Sequence, residues 1–219
     1  MTARQFLLLT TAIGLSAGAF ADVPRVAVQH ATPHRVVHAG KAQTLYDQMG
    51  NDSGTGINSQ NYEADYDAYD DEAADDFIVP EGAHWKITLV DMAGYYNEGP
   101  ADSMGVYFYK DKHGKPGKRI AQFTVIPPPY NGNGSFPLDL GRGVKLKPGH
   151  YWLSIQANQR FDFAGQWSWA TSESTTDNPA MWRNPNGGFE LGCTEWTVET
   201  TCVDYLKGDH LFALKGKSK

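Results

Sequence analysis

Residues 65–76 hold the densest set of side chains that could do chemistry, because seven of these twelve residues are Asp or Glu. Neighbouring carboxylates repel one another unless a cation or N–H donors neutralise them. A Ca²⁺ ion accepts about six to eight oxygen ligands and would do so. We expect Asp70, Asp71, Asp75 and Asp76 to be the calcium ligands, since they lie nearest the first predicted strand. The segment lacks the glycine of an EF-hand loop, and a solvated acidic loop without metal is the alternative.

A histidine series forms a second candidate metal site. His30, His34 and His38 recur at intervals of four residues and would share one face of a helix. Pro33 lies between the first two and opposes a continuous helix. Because residues 22–64 also lack sustained periodicity, we interpret them as an extended or partly disordered leader.

A third group combines aromatic rings with amides, a mixture that suits carbohydrate because rings stack on sugar faces and amides bond hydroxyls. Alternation along its predicted strand places Trp152 on the face away from the core. Trp182 and Trp196 flank a Gly/Asn-rich stretch. Asn184 and Asn186 lie in that stretch, and such loops often carry recognition. These five residues are the expected ligand-binding set, and burial of the tryptophans in a core is the alternative.

Catalytic motifs are missing from the sequence. It contains no G-x-S-x-G elbow, no H-E-x-x-H zinc motif, no P-loop and no dinucleotide fingerprint. Paired carboxylates for glycoside hydrolysis could come from the acidic segment or from Glu190 and Glu195, but the sequence gives no separation between them. We therefore expect a protein without catalytic residues.

The first 21 residues are typical of a secretory signal peptide. Arg4 supplies the positive charge, residues 6–15 an apolar stretch too short to span a bilayer, and residues 19–21 a small-x-small cleavage site. We expect a protein that is secreted or periplasmic and that has no membrane span.

Export changes how the two cysteines are interpreted. Cys193 and Cys202 enclose eight residues, which is neither C-x-x-C redox spacing nor the spacing of a zinc ribbon. In an oxidising compartment this pattern predicts a local, structural disulfide.

The net charge of −6 arises from 19 Lys and Arg against 25 Asp and Glu. A nucleic-acid partner is not expected, because phosphate binding needs a basic stripe. The two basic clusters recognised in the sequence, residues 110–119 and 215–219, are interpreted as a solvated turn and a chain end.

Short apolar segments separated by Gly- and Pro-rich turns indicate an antiparallel β-sandwich or jelly roll of about nine strands. The predicted strands are residues 76–79, 85–96, 104–110, 119–126, 136–140, 144–146, 151–157, 166–171 and 210–214. No long amphipathic helix interrupts them. The expected domain is residues 65–216, followed by a basic tail at 217–219.

Five sequence stretches resemble a jelly-roll module of secreted bacterial proteins. They are residues 73–80, Trp85-Lys86-Ile87, Lys115-Pro116-Gly117, residues 149–152 and residues 165–169. Such modules occur alone or attached to peptidases and other exported hydrolases. The resemblance covers residues 65–216 and implies an accessory or adhesive role, without transferring any catalytic residue.

These observations together predict a secreted, non-catalytic binding module that is stabilised by calcium and binds a glycan or another cell-surface component. A secreted glycoside or peptide hydrolase and a purely structural surface protein are the alternatives.

Overall fold

The computed structural model describes residues 23–29, 42–130 and 132–219. The predicted signal peptide and the three leader histidines lie outside the described residues. The strands, in chain order, are β1 Ala27–Gln29, β2 Gln43–Asp47, β3 Asp52–Asn58, β4 Gln60–Asn61, β5 Glu72–Val79, β6 Trp85–Met92, β7 Gly94–Tyr96, β8 Ser103–Asp111, β9 Pro116–Val125, β10 Phe136–Leu146, β11 Gly149–Asn158, β12 Trp167–Ser172, β13 Met181–Arg183, β14 Thr197–Val198 and β15 Phe212–Ser218. A 3-10 helix spans Ala64–Tyr69, and two single-turn helices, α1 and α2, span Phe161–Ala164 and Glu199–Cys202.

The strands form three sheets with almost entirely antiparallel pairing, which confirms the predicted all-β sandwich. Sheet I has the order β14-β13-β5-β11-β8-β9, with β4 added in parallel to β11. Sheet II has the order β10-β6-β15-β2, and sheet III the order β1-β3-β12-β7. Sheets II and III are joined where Ala93 donates to Leu211 O, Leu211 to Ala170 O and Ala170 to Ala93 O, at 3.0–3.1 Å.

The main core lies between sheets I and II, where the apolar side chains of each strand alternate with outward-facing ones. Phe77 of β5 is fully buried. Its ring lies 6.3 Å from that of Trp85 in β6 and 6.1 Å from that of Tyr46 in β2. Ile87, two residues from Trp85 on β6, is fully buried in the same cluster. Because a buried aliphatic side chain stabilises by about 1.5–3 kcal/mol, this cluster fixes which face of β6 points inward.

Part of the expected leader is structured, which corrects the interpretation of residues 22–64. Strand β3 pairs with β12, β2 pairs with β15, and Ile57 is fully buried. The glycines of β3 explain why the sequence did not predict this strand, since glycine is depleted in strands. Gly56 lies against the β12 backbone, where an added Cβ would come within 2.9 Å of Trp169 O.

The predicted basic tail is also part of a sheet. Lys217 and Ser218 belong to β15, and Lys219 exchanges two backbone hydrogen bonds of 3.0 Å with His84. The predicted strands 136–140 and 144–146 are one strand, β10, with an irregularity between Asp139 and Val144.

The predicted disulfide is confirmed. Cys193 and Cys202 are bonded, with their Cα atoms 6.1 Å apart, and both side chains are buried. The bond ties the loop after β13 to the helix α2, so the segment that carries the edge strand β14 is closed on itself.

Removing this disulfide should lower the free energy of unfolding by about 2–3 kcal/mol, because a short closed loop restricts the unfolded chain. Urea unfolding of the wild type, with and without reductant, measures the change. The Cys193→Ser/Cys202→Ser variant should match the reduced wild type and ignore reductant. A wild type whose unfolding midpoint does not move when both thiols are free would contradict this expectation.

Candidate functional site

A row of three lysines crosses the outer face of sheet II. Lys86 of β6 is paired directly with Lys145 of β10 on one side and with Lys217 of β15 on the other. Directly opposed residues in antiparallel strands point to the same face of the sheet. The neighbours Trp85 and Leu146 are buried, so the lysines point away from the core. Three lysine side chains therefore project side by side from adjacent strands.

A second basic row lies beside the first. His84 and Lys219 are backbone partners, and Lys147 lies two residues beyond Lys145. All three are exposed and, together with the first row, line one cavity of about 770 Å³. We call these six residues, Lys86, Lys145, Lys147, Lys217, Lys219 and His84, the lysine face.

Within the described part of the chain, the lysine face has no acidic partner. Ion pairs form elsewhere, between Lys215 and Asp91 and between Arg183 and Glu72. Lys215 lies on the same strand as Lys217, two residues away, which shows how a β15 lysine is neutralised when a carboxylate is present. Like charges on directly opposed residues destabilise a sheet by roughly 0.2–1 kcal/mol per pair. An anion with several oxygens would remove this repulsion.

The tryptophans expected at the ligand site are placed differently. Trp152 and Trp182 are both fully buried, so neither offers a ring to a ligand, which corrects the prediction for these two residues. Trp152 Nε1 donates to Asp111 Oδ1 at 2.9 Å, and Trp182 Nε1 donates to Asn58 O at 3.0 Å. Alternation did place Trp152 away from the main core. A second apolar cluster on that face of sheet I covers it.

The remaining expected ligand-binding residues make contacts within the protein. Asn184 is buried and donates to Ala68 O and Asp70 O, which also corrects its predicted role. Asn186 is exposed, and its side chain donates to Asp67 O at 2.8 Å. Trp196 is half-buried, and the guanidinium of Arg183 lies 4.4 Å from its ring centroid. Of the five residues, only Asn186 and Trp196 reach the surface, and both are engaged with the protein.

The four aspartates expected to bind calcium accept hydrogen bonds from N–H donors of the protein. Asp70 accepts from Tyr62 N, and Asp71 accepts from Gln60 N and Asn58 Nδ2, each at 2.7 Å. Burial raises the pKa of both carboxyls.

The other two aspartates have separate partners. Asp75 accepts from Gln48 Nε2 and His210 N, both at 2.6 Å, and Asp76 accepts from Asn178 Nδ2 and contacts His150 Nε2. No group of three or more His, Cys, Asp or Glu side chains in the described residues is arranged to hold a metal. The calcium site stays a prediction, and the function proposed below does not depend on it.

A buried ionisable cluster that the sequence did not reveal lies where β12 meets the start of β15. His210 Nε2 lies 3.1 Å from Glu199 Oε2, both side chains are fully buried, and the Trp169 ring stacks on His210 at 4.3 Å. Burial raises the pKa of the neighbouring Asp209 to about 7, and burial and the Asp209 carboxylate raise that of Asp75. Because these groups are enclosed, they bear on stability rather than on contact with a ligand.

Comparison with known proteins adds no identification: no protein-family model matches the chain, and no curated protein matches it. Within the described ranges, no helix is long and apolar enough to cross a membrane.

Replacing Trp182 should reduce stability rather than ligand affinity. Trp182→Ala is expected to lower the free energy of unfolding by about 3–5 kcal/mol, the range for a large buried aromatic residue. Trp182→Phe, which keeps most of the packing but loses the bond to Asn58 O, should cost about 1–2 kcal/mol. Trp196→Ala, at a half-buried position, is the control. Equal losses for Trp182→Ala and Trp196→Ala in urea unfolding would contradict the placement of Trp182 in the core.

Asp209 should make stability fall as the pH rises. Its pKa is raised from 3.8 to about 7 in the folded state, so folding retains a proton that the unfolded chain has released between these values. The stability it contributes is complete below about pH 4 and is lost as the pH rises through about 7. Asp209→Asn should flatten this loss, by at most about 1.4 kcal/mol per pH unit. Melting temperatures across this range provide the measurement, with the exposed Asp204→Asn as control, and an unchanged slope in Asp209→Asn would contradict the assignment.

Proposed function

We propose that this chain is an exported, non-catalytic binding module that binds an acidic polysaccharide through the lysine face. The observation that carries the proposal is the pairing of Lys86 with Lys145 and Lys217, with a second basic row beside them and no acidic partner among the described residues. Lysine ammonium groups are flexible point charges with three donors each, and they suit carboxylate or sulfate groups distributed along a chain.

A concave surface favours a single polymer chain over a nucleic-acid duplex. The lysine face lines a cavity of about 770 Å³, whereas proteins read duplex DNA by inserting a helix or a β-ribbon into a groove. Single-stranded nucleic acid is held by exposed aromatic rings on which bases stack. Among the described residues lining this cavity, the only Phe, Tyr or Trp is Trp85, which is 6% exposed. The proposal also agrees with the expected export of the protein, since the sequence predicts a signal peptide.

An anionic membrane is a less favourable partner for the same surface. Peripheral membrane binding combines basic residues with apolar side chains that enter the interface. The exposed large apolar residues of the described chain are Val23, Ile78, Ile126, Tyr130, Phe163, Leu191 and Tyr205. None of them belongs to β6, β10 or β15. The lysine face therefore offers charge without an apolar anchor.

The test is binding of the purified protein to polygalacturonate, with neutral dextran as the comparison polymer. We expect binding to polygalacturonate that weakens with added salt, because exposed charges are screened within about 10 Å at 0.1 M ionic strength. Lys145→Gln/Lys217→Gln should weaken it about tenfold, since each exposed ion pair contributes up to about 1 kcal/mol.

The matched control is Lys110→Gln/Lys112→Gln, which removes the same charge from two exposed lysines at the end of β8. Its affinity should remain that of the wild type. Equal weakening by both double variants would mean a general charge effect and would overturn the proposed site. Stronger binding to duplex DNA or to anionic lipid vesicles than to polygalacturonate would overturn the ligand class, and hydrolysis of the polymer would overturn the non-catalytic assignment.

A further inference from the structure

A second cavity continues the lysine face towards the edge of the sandwich. It has a volume of about 590 Å³, and Lys86 and Lys145 line both cavities. Its other lining residues include Arg142 of β10 and Gln122 of β9. The two cavities thus meet at Lys86 and Lys145, with Lys219 and Lys147 at one end and Arg142 at the other.

Irregular pairing on both sides of β6 shapes the surface at the meeting point. Opposite residues 87–89 of β6, strand β10 has extra residues between Asp139 and Val144. Against β15 the extra residue is in β6 itself, since the consecutive Lys215 and Gly216 pair with Leu89 and Ile87. Both shifts lie at the same part of β6, beside Lys86. Bulges redirect side chains and are common next to functional sites.

Two glycines make these shifts possible. At Gly143, φ is +68° and an added Cβ would lie 2.1 Å from Ile87 O. At Gly216, an added Cβ would lie 1.9 Å from Lys86 O. No other residue type fits at either position without moving the β6 backbone. The backbones of β10 and β15 therefore approach the β6 backbone closely, at Ile87 and at Lys86.

We infer that the two cavities form one binding trough for an extended anionic chain, which runs from the β15 end of the lysine face across Lys86 and Lys145 to Arg142. This inference rests on the proposed function and specifies its ligand as an acidic oligosaccharide or polysaccharide of several repeating units rather than a single charged sugar. The strand spacing of about 4.8 Å and the residue rise of about 3.3 Å give the trough a length on the order of 20 Å. Basic groups along this length would match charges that recur on successive sugar units.

The test compares a digalacturonate with an octagalacturonate on single variants at the two ends of the trough. Lys219→Gln removes a charge at one end and Arg142→Gln at the other, and both side chains are exposed. For the octamer, each variant should weaken binding roughly threefold, as expected for one exposed ion pair. The dimer is too short to reach both ends, so at most one of the two variants should affect it.

Lys110→Gln, which makes a similar charge change on sheet I, controls for net charge, and unchanged melting temperatures control for folding. If Lys219→Gln weakens octamer binding while Arg142→Gln leaves it unchanged, the single trough is overturned and the proposed function stands with a ligand confined to the first cavity. If the dimer binds as tightly as the octamer, the extended ligand is overturned in the same way. If neither oligomer binds and polygalacturonate also fails to bind, both the inference and the proposed function are overturned.

Discussion

The register of β6 against β10 and β15 is the constraint on which both faces of sheet II depend. Because side chains alternate along a strand, a slip of one residue would carry Lys86 to the inner face and Ile87 to solvent. Trp85 and Ile87, two residues apart on β6, are both buried, and the Trp85 ring stacks on that of Phe77. Their burial contributes several kcal/mol, whereas repulsion between two opposed lysine pairs costs roughly 0.2–1 kcal/mol each. The core therefore fixes the register, and the row of lysines follows from it.

This balance explains how three like charges remain adjacent on a stable sheet. The repulsion among Lys86, Lys145 and Lys217 is small beside the core that holds their strands together. It is still large enough to contribute to binding, since an anion placed over the row gains attraction and relieves repulsion at once. The neighbouring Lys215 is paired with Asp91, so β15 carries both a neutralised lysine and an unneutralised one two residues later.

Local patterns predicted the strands that alternate clearly, such as β8 and β11, and the spacing of the cysteines predicted the disulfide. The prediction for Trp152 was wrong because alternation reports which of two faces a side chain takes, and not whether a second layer covers that face. The lysine face left a trace in the sequence, since basic residues two apart occur in His84-Trp85-Lys86, Lys145-Leu146-Lys147 and Lys217-Ser218-Lys219. Only the long-range register brings these three short patterns together.

The net charge of −6 is a poor guide to the ligand because acidic and basic groups are distributed differently in this fold. Buried aspartates such as Asp71 and Asp75 are bonded by protein N–H donors, and burial raises their pKa values, so they present little charge to solvent. The lysine face, in contrast, is largely exposed. Since screening limits the reach of an exposed charge to about 10 Å, an approaching ligand responds to the local basic rows rather than to the total charge. Attraction of this kind is general to anions, so selection among them must come from the length and shape of the surface on which the lysines are mounted.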